Sequence, residues 1–221
     1  MHPLQGPRPP TSTSLLVALA ATLLLTSPAA AADPNGWSKG ADAPSMTDLI
    51  PKMKSEEAYS ERYNFEADLE GDGSIKVNFT VSNLGFSDGS AVSRVRVDTG
   101  RDLTYSYKKK YGRDDWKFDK KRFQLREPKT TITGKGDSTF IFHHTGRHDG
   151  KKVELRMAFT SPIPMWQPGG GTLAVGGGDY YTVHLLGLRS SVNGELTVGD
   201  KTYPLEADKS GYADHVSTNL A

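Results

Sequence analysis

The stretch SIKVNFTV, residues 74–81, determines the fold class of this chain. Its apolar residues alternate strictly with polar ones, so an extended strand collects them on one face. The apolar set is Ile75, Val77, Phe79 and Val81. The same period of two recurs at Leu103-Tyr105-Tyr107, Phe140-Phe142, Val153-Leu155-Met157-Phe159, Leu196-Val198 and Tyr203-Leu205. The pattern predicts a succession of short β-strands, each with one buried face.

Turn signals separate these alternating runs. Asp-Gly and Asn-Gly pairs favour tight hairpins because the central residues of such turns need positive φ. The signals are Gly71-Asp72-Gly73, Asp88-Gly89, Asp149-Gly150, Asn193-Gly194 and Gly199-Asp200. They predict an antiparallel all-β domain, built as a β-barrel or as a β-sandwich, and composition alone does not choose between the two.

Residues 1–32 have the pattern of a signal peptide. They contain no acidic residue, and the apolar run from Leu15 to Leu25 is shorter than the roughly 20 residues of a transmembrane helix. We expect cleavage after Ala31 or Ala32, a secreted or periplasmic location, and no transmembrane span in the processed chain. Residues 33–58 are expected to form a polar lead-in with at most one short helix, because Pro51 limits it.

The charge balance and the lack of cysteine exclude several classes of function. The chain has 27 basic and 26 acidic residues, and loss of Arg8 with the leader would make the two equal. This balance argues against a nucleic-acid or anionic-membrane partner, since both need clustered excess lysine and arginine. Without cysteine there is no thiolate nucleophile or cysteine metal site, and the hydrophobic core must supply the stability.

Two stretches depart from simple alternation. YYTVHLLGLR, residues 180–189, is apolar on both faces, which predicts a strand that is covered on both sides or that lines a cavity. SPIPMWQPGGG, residues 161–171, contains three prolines that cannot donate to a central ladder. It is therefore expected to be a loop or an edge crossing that carries Trp166.

Few residues carry recognisable chemistry. The histidines of HHTGRH, residues 143–148, could form a metal site, but neighbours in a strand point to opposite faces, so we predict no metal and no cofactor. The cluster of Tyr212, Asp214 and His215 could serve acid-base chemistry, since an aspartate can fix a histidine tautomer. From spacing alone, hydrogen bonds that close the end of a barrel are the favoured interpretation of this cluster.

Four segments resemble a known superfamily in order and spacing: Tyr59–Gly85, Arg113–Leu125, Pro162–Gly171 and Val192–His215. They are similar to the N-terminal half of the lipocalin-like two-barrel superfamily of hydroxyneurosporene synthases (carotenoid hydratases) and survival-factor lipid-transfer proteins. The resemblance implies a lipocalin-like β-barrel domain over residues 59–210. It also implies that residues 211–221 are a crossover toward a second barrel that is absent from this chain.

The same resemblance implies a cavity for a hydrophobic small molecule such as a lipid or an isoprenoid. The candidate pocket residues are Tyr105, Tyr107, Phe142, Trp166, Tyr181, His184 and Tyr212. In hydratase members the final motif reads Asp-His-x-Trp-Gly. Asp214 and His215 match it, whereas Ser217 and Thr218 replace its Trp and Gly. The implied catalytic residues are His215, as general acid or base, and Asp214.

Three functions follow as hypotheses. The first is an exported lipocalin-like protein that binds a hydrophobic small molecule. The second is a hydratase or isomerase that acts on an isoprenoid through His215. The third is an envelope structural or interaction protein whose open barrel edge pairs with a partner chain carrying a second barrel. Ser217 at the position of the Trp favours binding over catalysis.

Overall fold

The described part of the protein is almost entirely β-structure. The computed structural model describes residues 36–38, 43–84, 88–136 and 138–220, so the predicted signal peptide lies outside the described residues. The strands are β1 (Ser60–Leu69), β2 (Gly73–Ser82), β3 (Ser90–Asp98), β4 (Thr104–Tyr111), β5 (Lys117–Phe118), β6 (Gln124–Arg126), β7 (Thr130–Lys135), β8 (Thr139–His148), β9 (Lys151–Thr160), β10 (Thr172–Gly176), β11 (Asp179–Val198) and β12 (Lys201–Thr218). A 3-10 turn at Arg113–Asp115 joins β4 to β5. No helix in these ranges has the length and apolar character to cross a membrane.

The twelve strands form one antiparallel sheet. Their order is β4-β3-β2-β1-β12-β11-β9-β8-β7-β6-β5, and β10 pairs with the outer part of β11. The long hairpin of β11 and β12 is the spine of this sheet. Its β12 strand pairs with β1, and the second half of β11 pairs with β9. The spine therefore joins two wings, β1–β4 on one side and β5–β9 on the other.

The spine bends near its middle. The pairing of β11 with β12 changes register three times between Leu185 and Val192, and Arg189 and Lys209 take positive φ values of 57° and 58°. Bulges of this kind bend a strand and increase its twist. The bend turns the two wings toward each other, so the sheet curls into a half-open barrel and does not form a two-sheet sandwich.

Aromatic rings fill the middle of the barrel. Phe65 on β1 lies 5.0 Å from Phe140, 4.7 Å from Phe142 and 5.9 Å from Phe159, measured between ring centroids. All four side chains are buried. Each such ring contributes about 2–3 kcal/mol by leaving water, and together the rings hold the wings in contact across the interior.

A hydrogen-bonded seam also holds the wings together. Tyr105 Oη on β4 lies 2.7 Å from His144 Nε2 on β8, and His144 Nδ1 lies 2.8 Å from Thr130 Oγ1 on β7. A Cβ at position 146 would overlap the phenol of Tyr105, so Gly146 leaves the space that this contact needs. His143, the neighbour of His144, points outward because successive side chains of a strand alternate between its faces. Its Nε2 lies 3.3 Å from Oε1 of Glu154.

One predicted turn is wrong. Asn193-Gly194 lies inside β11, where Gly194 pairs with Met157 of β9 and with Leu205 of β12. A Cβ on Gly194 would overlap the carbonyl oxygen of Arg156, so this glycine permits close strand approach and does not form a turn. The signals at Asp149-Gly150 and at Gly199-Asp200 do mark hairpins.

The predicted ends of the domain also change. Residues 46–49 form a turn in place of the short helix, and the chain around them packs onto the barrel, with Leu49 fully buried. Residues 211–218 were expected in a crossover, yet they form half of β12, in the centre of the sheet between β1 and β11. Strand β12 continues through the end of the predicted domain because its pairing with β1 begins there.

Candidate functional site

Three central strands place a row of rings on the inner face of the barrel. Tyr63 on β1 is opposite His215 on β12, which is opposite His184 on β11. Opposed residues share one face of a sheet. The Tyr63 and His215 rings stack, with centroids 4.4 Å apart and planes 9° apart. The next row toward the barrel end contains Glu61 and Ser217.

The carboxylate of Glu61 is completely buried and accepts hydrogen bonds from four groups. His215 Nε2 lies 2.7 Å from Oε1, and Tyr63 Oη donates to the same oxygen over 2.9 Å. The backbone N–H of Lys52 donates to Oε2 over 3.1 Å, and the phenol of Tyr59 donates there as well. A buried charge is costly unless it is paired and hydrogen-bonded, and this carboxylate satisfies both conditions.

Burial and charge set the protonation states around Glu61. Burial by itself raises the pKa of Glu61, but the hydrogen bond and positive charge of His215, with the two phenols, outweigh it, so the net pKa is lowered. Burial and the charge of Glu61 raise the pKa of Tyr59 and of Tyr63 well above their ordinary values. Glu61 is therefore ionised at neutral pH, and both phenols keep the protons that they donate.

The two histidines continue the chain of contacts away from Glu61. An ionised carboxylate only accepts, so His215 Nε2 carries a proton. His215 Nδ1 lies 3.2 Å from His184 Nδ1, with one nitrogen as donor and the other as acceptor. Burial and the charge of His215 lower the pKa of His184 to about 4, so His184 is neutral at pH 7. We call Glu61, His215 and His184 the relay.

A cavity of about 540 Å³ opens beside the relay. Its walls come from the lead-in, the loop after β9, and strands β11 and β12. The apolar part of the wall comes from Ala43, Pro44 and the ring of Tyr180. The polar part includes Asp48, Lys52, Lys54, Thr182, His184, His215 and Ser217. The cavity therefore offers more polar than apolar groups to a bound molecule.

The structure separates the two residues that the sequence paired as catalytic. His215 faces the cavity, but Asp214 is on the opposite face of β12, where its Oδ1 lies 3.8 Å from the guanidinium of Arg62. Burial raises the pKa of Asp214, and the charge of Arg62 only partly offsets this. The partner of His215 is Glu61 on the neighbouring strand. Tyr212 shares the outer face with Asp214 and is outside the cavity.

The other predicted pocket residues have different positions. Only His184 lines the cavity. Tyr105 and Phe142 are buried in the filled interior, and Tyr107 is half-buried, with its hydroxyl 2.5 Å from that of Tyr111. The ring of Trp166 is 52% exposed.

Tyr181 is also outside the cavity. Its chain neighbours Tyr180 and Thr182 line the cavity instead, so the wall takes the alternate residues of this strand. The prediction that the strand at residues 180–189 lines a cavity is therefore confirmed for the face that carries Tyr180, Thr182 and His184. Which residues form that face depends on the register between β11 and β12.

The sequence contained a signal for Glu61 that was missed. In YSERYNF, residues 59–65, the inward positions are Tyr59, Glu61, Tyr63 and Phe65. A carboxylate in the apolar phase of a strand is a buried charge that requires partners. The phase of this strand therefore predicts a buried, hydrogen-bonded carboxylate at position 61.

The architecture can be compared with known proteins. No protein-family model and no curated protein matches the chain by sequence. The solved structure of a provisionally assigned AttH from Nitrosomonas europaea is similar over 74% of this chain and 52% of its own length, with a TM-score of 0.56 and 9% identity. CghA, crystallised with Sch210972, is similar over 81% of this chain and 50% of its own length, with a TM-score of 0.52 and 14% identity.

The chain has a lipocalin-like β-barrel fold. The likeness confirms the lipocalin-like fold that the sequence segments indicated, and membership of the superfamily stays a prediction. The chain spans about half the length of the solved structures that it matches. At this level of identity the comparison shows the lipocalin-like fold alone, so the function must be inferred from the relay and its cavity.

Buried histidines predict an acid-sensitive fold. Burial lowers the pKa of His144 and of His184 to about 4, compared with about 6.5 for an exposed histidine. Between these values the unfolded chain binds more protons than the folded chain, so the free energy of unfolding falls as the pH falls from about 6.5 toward 4. This loss of stability is at most ~3 kcal/mol for each histidine.

Urea denaturation at pH 7 and at pH 4.5 measures the loss of stability, and His144→Gln should make it smaller. His143→Gln, on the exposed face, is the control. An equal pH dependence in His144→Gln and in the unaltered protein would contradict the assignment.

Proposed function

We propose that the protein binds a small molecule in the 540 Å³ cavity, with a polar group of that molecule against His184 and His215. Ligand cavities are about 300–1,000 Å³ and combine apolar walls with a few placed polar groups. The observation that carries the proposal is that the buried relay, with the charged carboxylate of Glu61 at its inner end, reaches this cavity. A fold that needed only a core would fill these positions with apolar residues.

The composition of the wall refines the expected ligand. A lipid or an isoprenoid was expected, yet the apolar part of the wall is limited to Ala43, Pro44 and the Tyr180 ring. We infer an amphiphile with a short apolar body and a polar end. Ser217 supports this inference, since its small side chain leaves space beside His215 that an indole would occupy.

Occlusion of the cavity tests the binding proposal. Ser217→Trp places an indole in the cavity wall and should weaken the binding of amphiphilic fatty acids and isoprenoid alcohols at least ~10-fold, which corresponds to about 1.4 kcal/mol. Val216→Trp adds the same ring on the other face of β12 and should leave the affinity unchanged. Isothermal titration calorimetry measures both. Equal affinities for the two variants, or no saturable binding by the unaltered protein, would refute the proposal.

A second candidate function is proton-transfer catalysis, as in a hydratase or an isomerase. The relay supports it, because a neutral His184 at the cavity can exchange a proton with a ligand while Glu61 stabilises positive charge on His215. In a hydration, a protonated histidine of the relay delivers a proton to one alkene carbon, the oxygen of water bonds to the other carbon, and the histidine regains the proton that this water loses. Glu61 takes the orienting role that the sequence gave to Asp214.

Paired carboxamide variants test the catalytic candidate. Glu61→Gln and His184→Gln should each lower kcat at least ~100-fold on an alkene-containing isoprenoid, the usual contribution of general acid-base catalysis. Asp214→Asn, on the outer face, should stay within about 3-fold of the unaltered enzyme. Product formation is followed as the mass gain of one water. Retained activity in His184→Gln, or an equal loss in Asp214→Asn, would exclude the assigned roles.

Export is a separate proposal, supported by the leader pattern of residues 1–32. If it is correct, protein recovered from the periplasm or medium begins at Ala32 or Asp33. N-terminal sequencing and intact mass determination measure this. Recovery of the chain with Met1 in the cytoplasmic fraction alone would argue against export.

A further inference from the structure

A dense group of cations covers the outer face of the β1–β4 wing. Five basic side chains line a shallow groove of about 440 Å³ there: Arg62, Lys76, Arg94, Arg96 and Lys108. All five residues are exposed. The processed chain as a whole is predicted to be electrically neutral, so the overall composition does not indicate the local excess of positive charge on this face.

Register places like charges directly opposite each other on this face. Lys76 on β2 is opposite Arg96 on β3, and Arg94 on β3 is opposite Lys108 on β4. Like charges at opposed positions destabilise a sheet. Lys76 has a partner in Glu66, 2.6 Å away, and Arg62 has one in Asp214, 3.8 Å away. Arg94, Arg96 and Lys108 form no ion pair within the described ranges.

Protection of a sheet edge does not account for the group. Lysine on an edge strand discourages pairing with other sheets, and this explains Lys108 on β4, the last strand of the wing. Arg94 and Arg96 are on β3, and Lys76 is on β2, which are both paired on two sides. Interior strands need no such protection, so the repulsive pairing of cations on these strands requires another explanation.

We propose that this groove binds a phosphate group. Arginine presents a planar fork that matches phosphate oxygens in a bidentate contact. Arg94 Nη1 donates to Asn78 Oδ1 over 3.3 Å, which orients one fork, and Asn64 adds an amide to the groove. A bound dianion offsets the repulsion among Arg94, Arg96 and Lys108, the three cations without a carboxylate partner in the described ranges. The phosphate comes from a soluble phosphorylated molecule or from the headgroups of an anionic membrane.

The groove is independent of the cavity. Arg62 and Asn64 of β1 point outward, while Glu61 and Tyr63 of the same strand point inward to the relay. The sheet itself separates the two sites. Failure of phosphate binding therefore leaves the proposed cavity function unaffected, and the reverse also holds.

Charge removal at matched positions tests the proposal in the full chain. The probes are inorganic phosphate and tripolyphosphate, measured by calorimetry at low salt. Phosphatidylcholine vesicles with and without phosphatidic acid are measured by co-sedimentation. The double variant Arg94→Gln/Arg96→Gln should lose at least ~10-fold in affinity. Lys120→Gln/Lys121→Gln removes two exposed charges from the loop between β5 and β6 and should change affinity less than about 2-fold.

A melting experiment separates binding from a structural role. Without phosphate, Arg94→Gln/Arg96→Gln should melt about 2 °C higher than the unaltered protein because repulsion is relieved. Binding of the soluble probes without vesicle binding supports a soluble ligand, and arginine-dependent vesicle binding supports a membrane. No binding to any probe, an equal loss in the lysine control, or a lower melting temperature in the arginine variant would overturn the proposal.

Discussion

The burial of the Glu61 charge is the constraint on which the site depends. A carboxylate without access to water stays ionised only when its oxygens have donors, and the donors come from three parts of the chain. Lys52 belongs to the lead-in, Tyr59 and Tyr63 to the segment that begins the barrel with β1, and His215 to β12. Loss of any donor leaves part of a buried charge unpaired. The carboxylate thus ties the lead-in to the barrel end and fixes the orientation of His215.

A solid interior confines the cavity beside the relay to one end of the barrel. Phe65, Phe140, Phe142 and Phe159 occupy the middle, where a wider barrel would hold a ligand. The bend of the β11–β12 hairpin brings these rings together because it folds one wing over the other. Beyond the rings the strands carry polar side chains, and the lead-in closes over them. The cavity exists because the apolar side chains that fill the barrel end at the row of Phe65, and the next row toward the barrel end contains His184 and His215 of the relay.

Sequence patterns predicted the positions of the strands well, but they predicted poorly which residues contact each other across strands. The period of two marks a strand because it depends only on the geometry of the local backbone. The Asn193-Gly194 signal failed because glycine serves both tight turns and close strand approach, and only the neighbouring strand β9 distinguishes them. Asp214 was chosen for His215 because it is adjacent in sequence, whereas adjacency in a strand places side chains on opposite faces.

By itself, the sequence determined an antiparallel all-β chain and the phase of most strands. It also indicated His215 as a candidate site residue and showed that a small residue, Ser217, follows it at the next position on the same face of the strand. Tertiary structure alone decided that Glu61 is the partner of His215, that His184 continues the relay, and that cations collect on one face of a chain whose net charge is only +1. The physical reason is register. Alternation is a property of one strand and can be read along the chain, while the contact of Glu61 with His215, 154 positions apart, depends on the pairing of strands in the whole sheet.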